Sequence, residues 1–316
     1  MVSWLLVLLG LVLLTGGAEF LVRGSSALAG RLGVSTLVIG MTVVAYGTSA
    51  PELAVSVIAV LRGSDGLAIG NVVGSNISNL GLVLGLAALI NPLRAEHGLL
   101  KRELPFMLVA ALMVPLLGWD GDYGRGDGVA FLLGALLFTA VCFSRARSER
   151  REDKARKAES DEVPEPSGNL LLDVVFTLGG TVALVGGGDV LVRGATDVAT
   201  QLGVTERVIG LSIVALGTSL PELATSLVAA RKGELDLAVG NVIGSNIFNV
   251  FFILGSAATV RSMNIGEAAL SLDVVIMLVL SFAMIPMIFS GERISRLEGA
   301  LLALTYCGFA ASLFLR

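Results

Sequence analysis

The chain has 316 residues, of which 54% are hydrophobic and only 15% charged, with a net charge of -4. Soluble domains carry charge at about 25% of positions, so an ordinary water-soluble protein is excluded. With no cationic excess to neutralise a phosphate backbone, nucleic acid is excluded as a partner.

Apolar runs fall near residues 3–28, 34–61, 66–91, 104–119 and 128–144, and again near 169–192, 204–230, 236–260, 266–290 and 297–315. A helix needs about 20 apolar residues to cross a bilayer, so the runs predict ten transmembrane helices in an all-α integral membrane protein. The first run has no basic residue before Arg23 and no plausible cleavage site, so it is expected to be a retained span rather than a secretory signal. Residues 145–168 are dense in Arg, Lys, Glu and Asp and contain Pro164 and Pro166, the composition of a solvated linker. The expected division is a first five-helix repeat at 1–144, a charged linker at 145–168 and a second five-helix repeat at 169–316.

The division into repeats rests on self-similarity. Gly40 to Leu80 laid on Gly210 to Val250 gives 23 identities in 41 positions without a gap, at an offset of 170 residues. The same offset aligns residues 16–24 with 186–194, which argues that the first run is structural. Five spans per half is an odd number, so the second copy enters the membrane from the opposite side. Inverted repeats of this kind are typical of secondary transporters, with the substrate site near the midplane.

Orientation follows from the basic residues. If the linker is cytoplasmic, its side holds fifteen of the 22 Lys and Arg and the other side five, while Arg23 and Arg193 lie within span ends. Both termini are then external, and the protein is expected to be a multi-pass protein of the cell's inner (plasma) membrane.

The chemistry is concentrated in the second and third spans of each half. Gly-Thr-Ser-Ala-Pro-Glu at 47–52 is repeated as Gly-Thr-Ser-Leu-Pro-Glu at 217–222. A carboxylate in mid-span costs about 2.5–3.5 kcal/mol on insertion scales, and no Lys or Arg lies near Glu52 or Glu222 in these spans. A bound cation is the remaining partner. Thr48 and Ser49 precede Glu52 by four and three residues and share its helix face, as Thr218 and Ser219 do for Glu222. Pro51 and Pro221 disrupt the preceding turn and free backbone carbonyls. In the third span Asn71, Ser75 and Asn79 form a polar stripe answered by Asn241, Ser245 and Asn249. Asn71, Asn76, Asn241 and Asn246 are assigned to helix-helix bonding. The donor set is oxygen only, which suits hard cations such as Ca2+ and Na+. Glu19, Asp189, Arg23 and Arg193 are expected near span ends, snorkelling or paired. Cys142, Cys307 and the single His97 stand far apart, so no Cys/His metal cluster is expected and both cysteines are read as packing residues.

The paired Gly-Thr-Ser-x-Pro-Glu and Gly-Ser-Asn-Ile-x-Asn segments closely resemble the alpha repeats of the cation/calcium exchanger superfamily, sodium/calcium exchanger branch. The resemblance covers nearly the whole chain outside the linker. It implies antiport of Ca2+ against several Na+ by alternating access, with the first and sixth spans sliding across a fixed core. It places ion ligands at Ala45 (carbonyl), Thr48, Ser49, Glu52, Ser75 and Asn79, and at Ala215 (carbonyl), Thr218, Ser219, Glu222, Ser245 and Asn249. Some close members have Asp where this chain has Asn249, which leaves Ca2+/H+ antiport as the alternative.

No cofactor is expected, and the partners are Ca2+, Na+ or H+, and the lipid bilayer, with the monomer as functional unit. Enzyme function is disfavoured. Gly186 to Asp189 fits a Gly-x-Gly-Asp protease signature, but no Tyr-Asp occurs to supply a second acid, and His97 falls in a loop. A passive cation channel is the stronger rival, because carboxylates also line pores.

Overall fold

Helices account for almost all of the computed structural model, which describes residues 2–94, 97–159, 169–203, 215–289 and 293–313. In chain order they are α1 (Val2–Leu32), α2 (Thr36–Thr48), α3 (Ala50–Leu61), α4 (Asp65–Ile90), α5 (His97–Leu117) and α6 (Arg125–Glu159). A second series follows as α7 (Leu170–Gln201), α8 (Leu220–Lys232), α9 (Leu235–Val260), α10 (Leu272–Phe289) and α11 (Arg296–Leu313). Five of the described helices are long and apolar enough to cross a membrane, or six if α2 and α3 form one bent span. The expected run at 204–230 lies outside the described residues up to position 214, as does the linker from 160 to 168.

Burial separates two kinds of helix. In the most apolar window of α9, 94% of residues are buried, and in α4 72%, against 33% in α1 and 28% in α7. The first two form the centre, and the last two lie at the edge. α1 and α7 pack along each other as an antiparallel pair through glycines spaced by seven: Gly10, Gly17 and Gly24 against Leu191, Leu184 and Thr177, and Gly180, Gly187 and Gly194 against Leu21, Leu14 and Val7. A Cβ at any of the six would lie 2.5 to 2.8 Å from the facing helix, so the two backbones are in contact. Equivalent polar pairs close both ends of this seam: Arg31 Nε donates to Asp173 Oδ2 at 2.8 Å, and Gln201 Nε2 donates to Ser3 Oγ at 3.1 Å.

Short antiparallel ribbons tie the loops of the two halves. Leu93–Arg94 (β1) pairs with Arg293–Ile294 (β4), and Asp122–Tyr123 (β2) with Met263–Asn264 (β3). Leu93 and Met263, which correspond at the repeat offset, are both fully buried.

α6 runs on as helix to Glu159, past the boundary expected at 144. The segment is rich in strong helix formers, and the first proline comes only at Pro164. Its continuation caps α2: Glu149 accepts from Ser35 N at 2.7 Å and Ser35 Oγ at 3.2 Å, while Arg145 bonds both Glu149 and the buried Glu103. Two smaller expectations are corrected. Cys142 is buried as read, but Cys307 is exposed on α11, and His97 opens α5 rather than lying in a loop.

Candidate functional site

Each glutamate sits where its span breaks. α2 ends at Thr48 and α3 starts at Ala50, with a 46° bend between them. Ser49 takes the hinge conformation (φ -84°, ψ 9°), and Ser219 takes nearly the same one (φ -86°, ψ 4°). Pro51 and Pro221 fall in the first turn of the following helix, where a missing N–H is tolerated. The break therefore places Glu52 and Glu222 in the first turns of α3 and α8, where the helix dipole favours negative charge.

The third spans bring a second set of oxygens. In α4 the helix widens to a π turn beginning at Asn79, and in α9 at Asn249. Such turns insert an extra residue and re-aim neighbouring side chains. Ser75 and Ser245 lie one turn earlier on the same helices.

The two halves meet through these residues. Ser49 Oγ donates to Glu222 Oε1 at 2.8 Å, and Ser219 Oγ reaches Glu52 Oε1 at 3.4 Å and Ser75 Oγ at 3.5 Å. Each hinge serine thus serves the glutamate of the other half, a pairing that the shared helix face inferred from spacing did not anticipate. Thr48 Oγ1 lies 3.3 Å from both the Ala45 carbonyl and Asn241 Oδ1, and the Ala45 carbonyl also accepts from Ser49 N at 3.0 Å. Thr48, Ser49, Glu52, Ser75, Asn79, Ser219, Glu222, Ser245 and Asn249 are all buried. Thr218 is half-buried, and Ala215 opens the short helical turn Ala215–Gly217.

Six enclosed oxygens of this set have no hydrogen-bond partner: Glu52 Oε2, Glu222 Oε2, Asn79 Oδ1, Asn249 Oδ1, Thr218 Oγ1 and Ser245 Oγ. Neither carboxylate has a cationic partner among the described residues, and no group of three or more His, Cys, Asp or Glu occurs there. Four of the six are carboxylate or amide oxygens, which can only accept, and two are hydroxyls; unmet buried acceptors are rare in folded proteins. A cavity of about 480 Å³, lined by Val55, Gly70, Asn71, Gly74, Ser75 and Thr218 among others, reaches the cluster from one end.

Five residues outside the expected ligand set hold this geometry. Asn71 Nδ2 donates to the Glu52 carbonyl at 3.1 Å and Ser56 Oγ at 2.9 Å, and Asn241 repeats the arrangement on the Glu222 carbonyl at 3.5 Å and Ser226 Oγ at 3.0 Å. The identity of Ser56 and Ser226 at the repeat offset was the available signal for them. Asn249 Nδ2 donates to Asn76 Oδ1 at 3.0 Å, which leaves its own oxygen for the site.

Comparison with known proteins places these features in context. The family described as sodium/calcium exchanger protein matches residues 2–144 and 172–315. Inner membrane protein YrbG of Escherichia coli is 39% identical, covering 87% of this chain and 85% of that one. Sodium/calcium exchanger MaX1 of Methanosarcina acetivorans is 34% identical over 99% of each chain. Among solved structures, the sodium-calcium exchanger NCX_Mj soaked with Na+ and Ca2+ superposes with a TM-score of 0.84 at 32% identity, covering 99% of each chain.

Proposed function

Because the chain belongs to the sodium/calcium exchanger family, we propose that it is a secondary active antiporter exchanging Ca2+ for Na+ across a membrane by alternating access. The observation that carries this reading is the cluster of buried oxygens without hydrogen-bond partners around two carboxylates that have no cationic partner among the described residues. Ca2+ takes about six to eight oxygen ligands and Na+ also needs an oxygen shell, and the set Ala45, Thr48, Ser49, Glu52, Ser75, Asn79, Ala215, Thr218, Ser219, Glu222, Ser245 and Asn249 supplies one from both halves. In this reading ten spans form two inverted repeats, 1–144 and 169–316, and the linker 145–168 is cytoplasmic with both termini external. The distribution of basic residues supports that orientation. In a Cys142→Ala, Cys307→Ala background, labelling of Ser160→Cys by an impermeant maleimide in intact cells would contradict it.

The counter-ion follows from charge and ligand type. With Asn at 79 and 249, Glu52 and Glu222 alone carry charge, so one Ca2+ neutralises the ionised site and three Na+ leave it at +1. Charge balance by itself suits two Na+ or two H+ equally, so it does not separate Na+ from the Ca2+/H+ alternative. A proton, however, uses only the carboxylate and leaves the hydroxyl, amide and carbonyl oxygens unmet, so Na+ is the better fit. In proteoliposomes, Ca2+ uptake is expected to require internal Na+ and to persist when the pH gradient is clamped to zero. Uptake driven by a pH gradient without Na+ would establish the proton exchanger, and Ca2+ flux independent of any counter-ion a channel.

A further inference from the structure

The internal repeat extends to charges that the ion site does not use. Glu19, Arg23 and Arg62 correspond at the same offset to Asp189, Arg193 and Lys232, so all three positions keep their sign. Their partners nevertheless differ. Lys232 Nζ, at the end of α8, lies 2.5 Å from Glu19 Oε1 in the middle of α1. The equivalent pair, Arg62 with Asp189, is not made. Asp189 Oδ2 bonds Arg193 Nε of its own helix at 2.9 Å, and Arg62 is exposed with no ion-pair partner among the described residues. Arg23, whose counterpart Arg193 holds an acid, instead lies over the Phe176 ring.

Packing has the same asymmetry. α8 lies against both α1 and α7, whereas its equivalent α3 makes no comparable contact with either. The cavity that reaches Ser75 and Thr218 is on the α3 side, walled by Val55, Gly66 and Leu67. A cavity also lies beside the bridged end, lined by Thr36, Asn91, Gly233 and Asp236 among others, but it includes none of the ligand residues, whereas the cavity at the unbridged end includes Ser75 and Thr218.

We infer that Glu19–Lys232 and Asp189–Arg62 are alternative ion pairs, one for each end state of transport, exchanged when α1 and α7 slide together. The inference rests on the alternating-access reading above. The glycine seam and its two terminal polar pairs join α1 to α7, so one acid leaves its cation as the other arrives. A bridge at one end holds that end shut while the other is open, and matched pairs at both ends keep the two states close in free energy. An exposed ion pair shifts an equilibrium by about two- to fivefold, enough to bias the transporter without locking it.

Two thiol reporters read the two ends. In a Cys142→Ala, Cys307→Ala background, Val55→Cys reports the open cavity, and Thr225→Cys, its equivalent on α8, reports the opposite path, where Thr225 is fully buried in the structure. An impermeant methanethiosulfonate is applied to right-side-out and inside-out vesicles at fixed Na+. Glu19→Gln is expected to raise the Thr225→Cys rate and lower the Val55→Cys rate by about two- to fivefold. Asp189→Asn shifts both rates the other way, and the swap Glu19→Lys with Lys232→Glu restores those of the parent. Unchanged rates in both single variants, or a swap that behaves like Glu19→Gln alone, would overturn the inference while leaving alternating access intact. If the two reporters react from the same face in the parent, alternating access itself fails, and the inference with it.

Discussion

The central helices α4 and α9 and the peripheral helices α1 and α7 draw on the same glycine and aliphatic residues, yet they are held in different ways. The centre is locked by side chains that bond between helices: Asn71 to Ser56, Asn241 to Ser226 and Asn249 to Asn76. The periphery is held by backbone contact at six glycines, with polar pairs at its two ends. Buried directional bonds fix the centre, whereas the glycine seam and its end pairs join α1 and α7 into one unit. In the proposed alternating-access reading, the ligand atoms belong to this bonded centre and the movement to the α1–α7 pair.

The comparison breaks most sharply at the glutamates. Glu52→Gln or Glu222→Gln is expected to lower Ca2+ affinity by at least about thirtyfold, as for loss of one partner from a desolvated charge pair, and to abolish transport. Thermal unfolding in detergent should be no earlier than in the parent, because no cationic side chain is left unpaired. Near-normal Ca2+ uptake by either variant would remove that residue from the site.

A second contrast sharpens the edge. Gly180→Ala places a Cβ 2.5 Å from Leu21 N, whereas Gly179→Ala meets nothing within 4 Å. The first should destabilise by about 1–3 kcal/mol through overpacking and slow exchange, and the second should change neither. Equal unfolding temperatures for the two variants would mean that the seam is not tightly packed.

Much of this was legible in the sequence, because the informative residues are written twice. The offset of 170 exposed both glutamates, both hinge prolines and the polar stripes, and mid-span charge is rare enough to stand out. The cross-pairing of Ser49 with Glu222 was not legible, since helical spacing reports neighbours within one copy and says nothing of which copy a hydroxyl turns toward. The π turns at Asn79 and Asn249 depend on tertiary packing around an ordinary apolar run. Continuation of α6 to Glu159 was hidden because charge density marks solvent exposure, which a helix can satisfy as well as a coil.

The smallest expected effect tests that cross-pairing. Ser49→Ala and Ser219→Ala should each weaken Ca2+ affinity by about two- to tenfold, the range for one net hydrogen bond. Combining Ser49→Ala with Glu222→Gln should add little to the glutamate change alone, whereas combining it with Glu52→Gln should be closer to additive. Additivity in both combinations would argue against the pairing between halves.

In the proposed reading, oxygens from both halves form one cage used in turn by Ca2+ and Na+. Equilibrium Ca2+ binding to the purified chain, titrated with Na+ and repeated in Glu52→Gln and Glu222→Gln, tests it most directly. One Ca2+ per chain, displaced by Na+ and lost in both variants, is the result expected. Ca2+ binding that Na+ leaves untouched, or that survives in either variant, would contradict a shared cage.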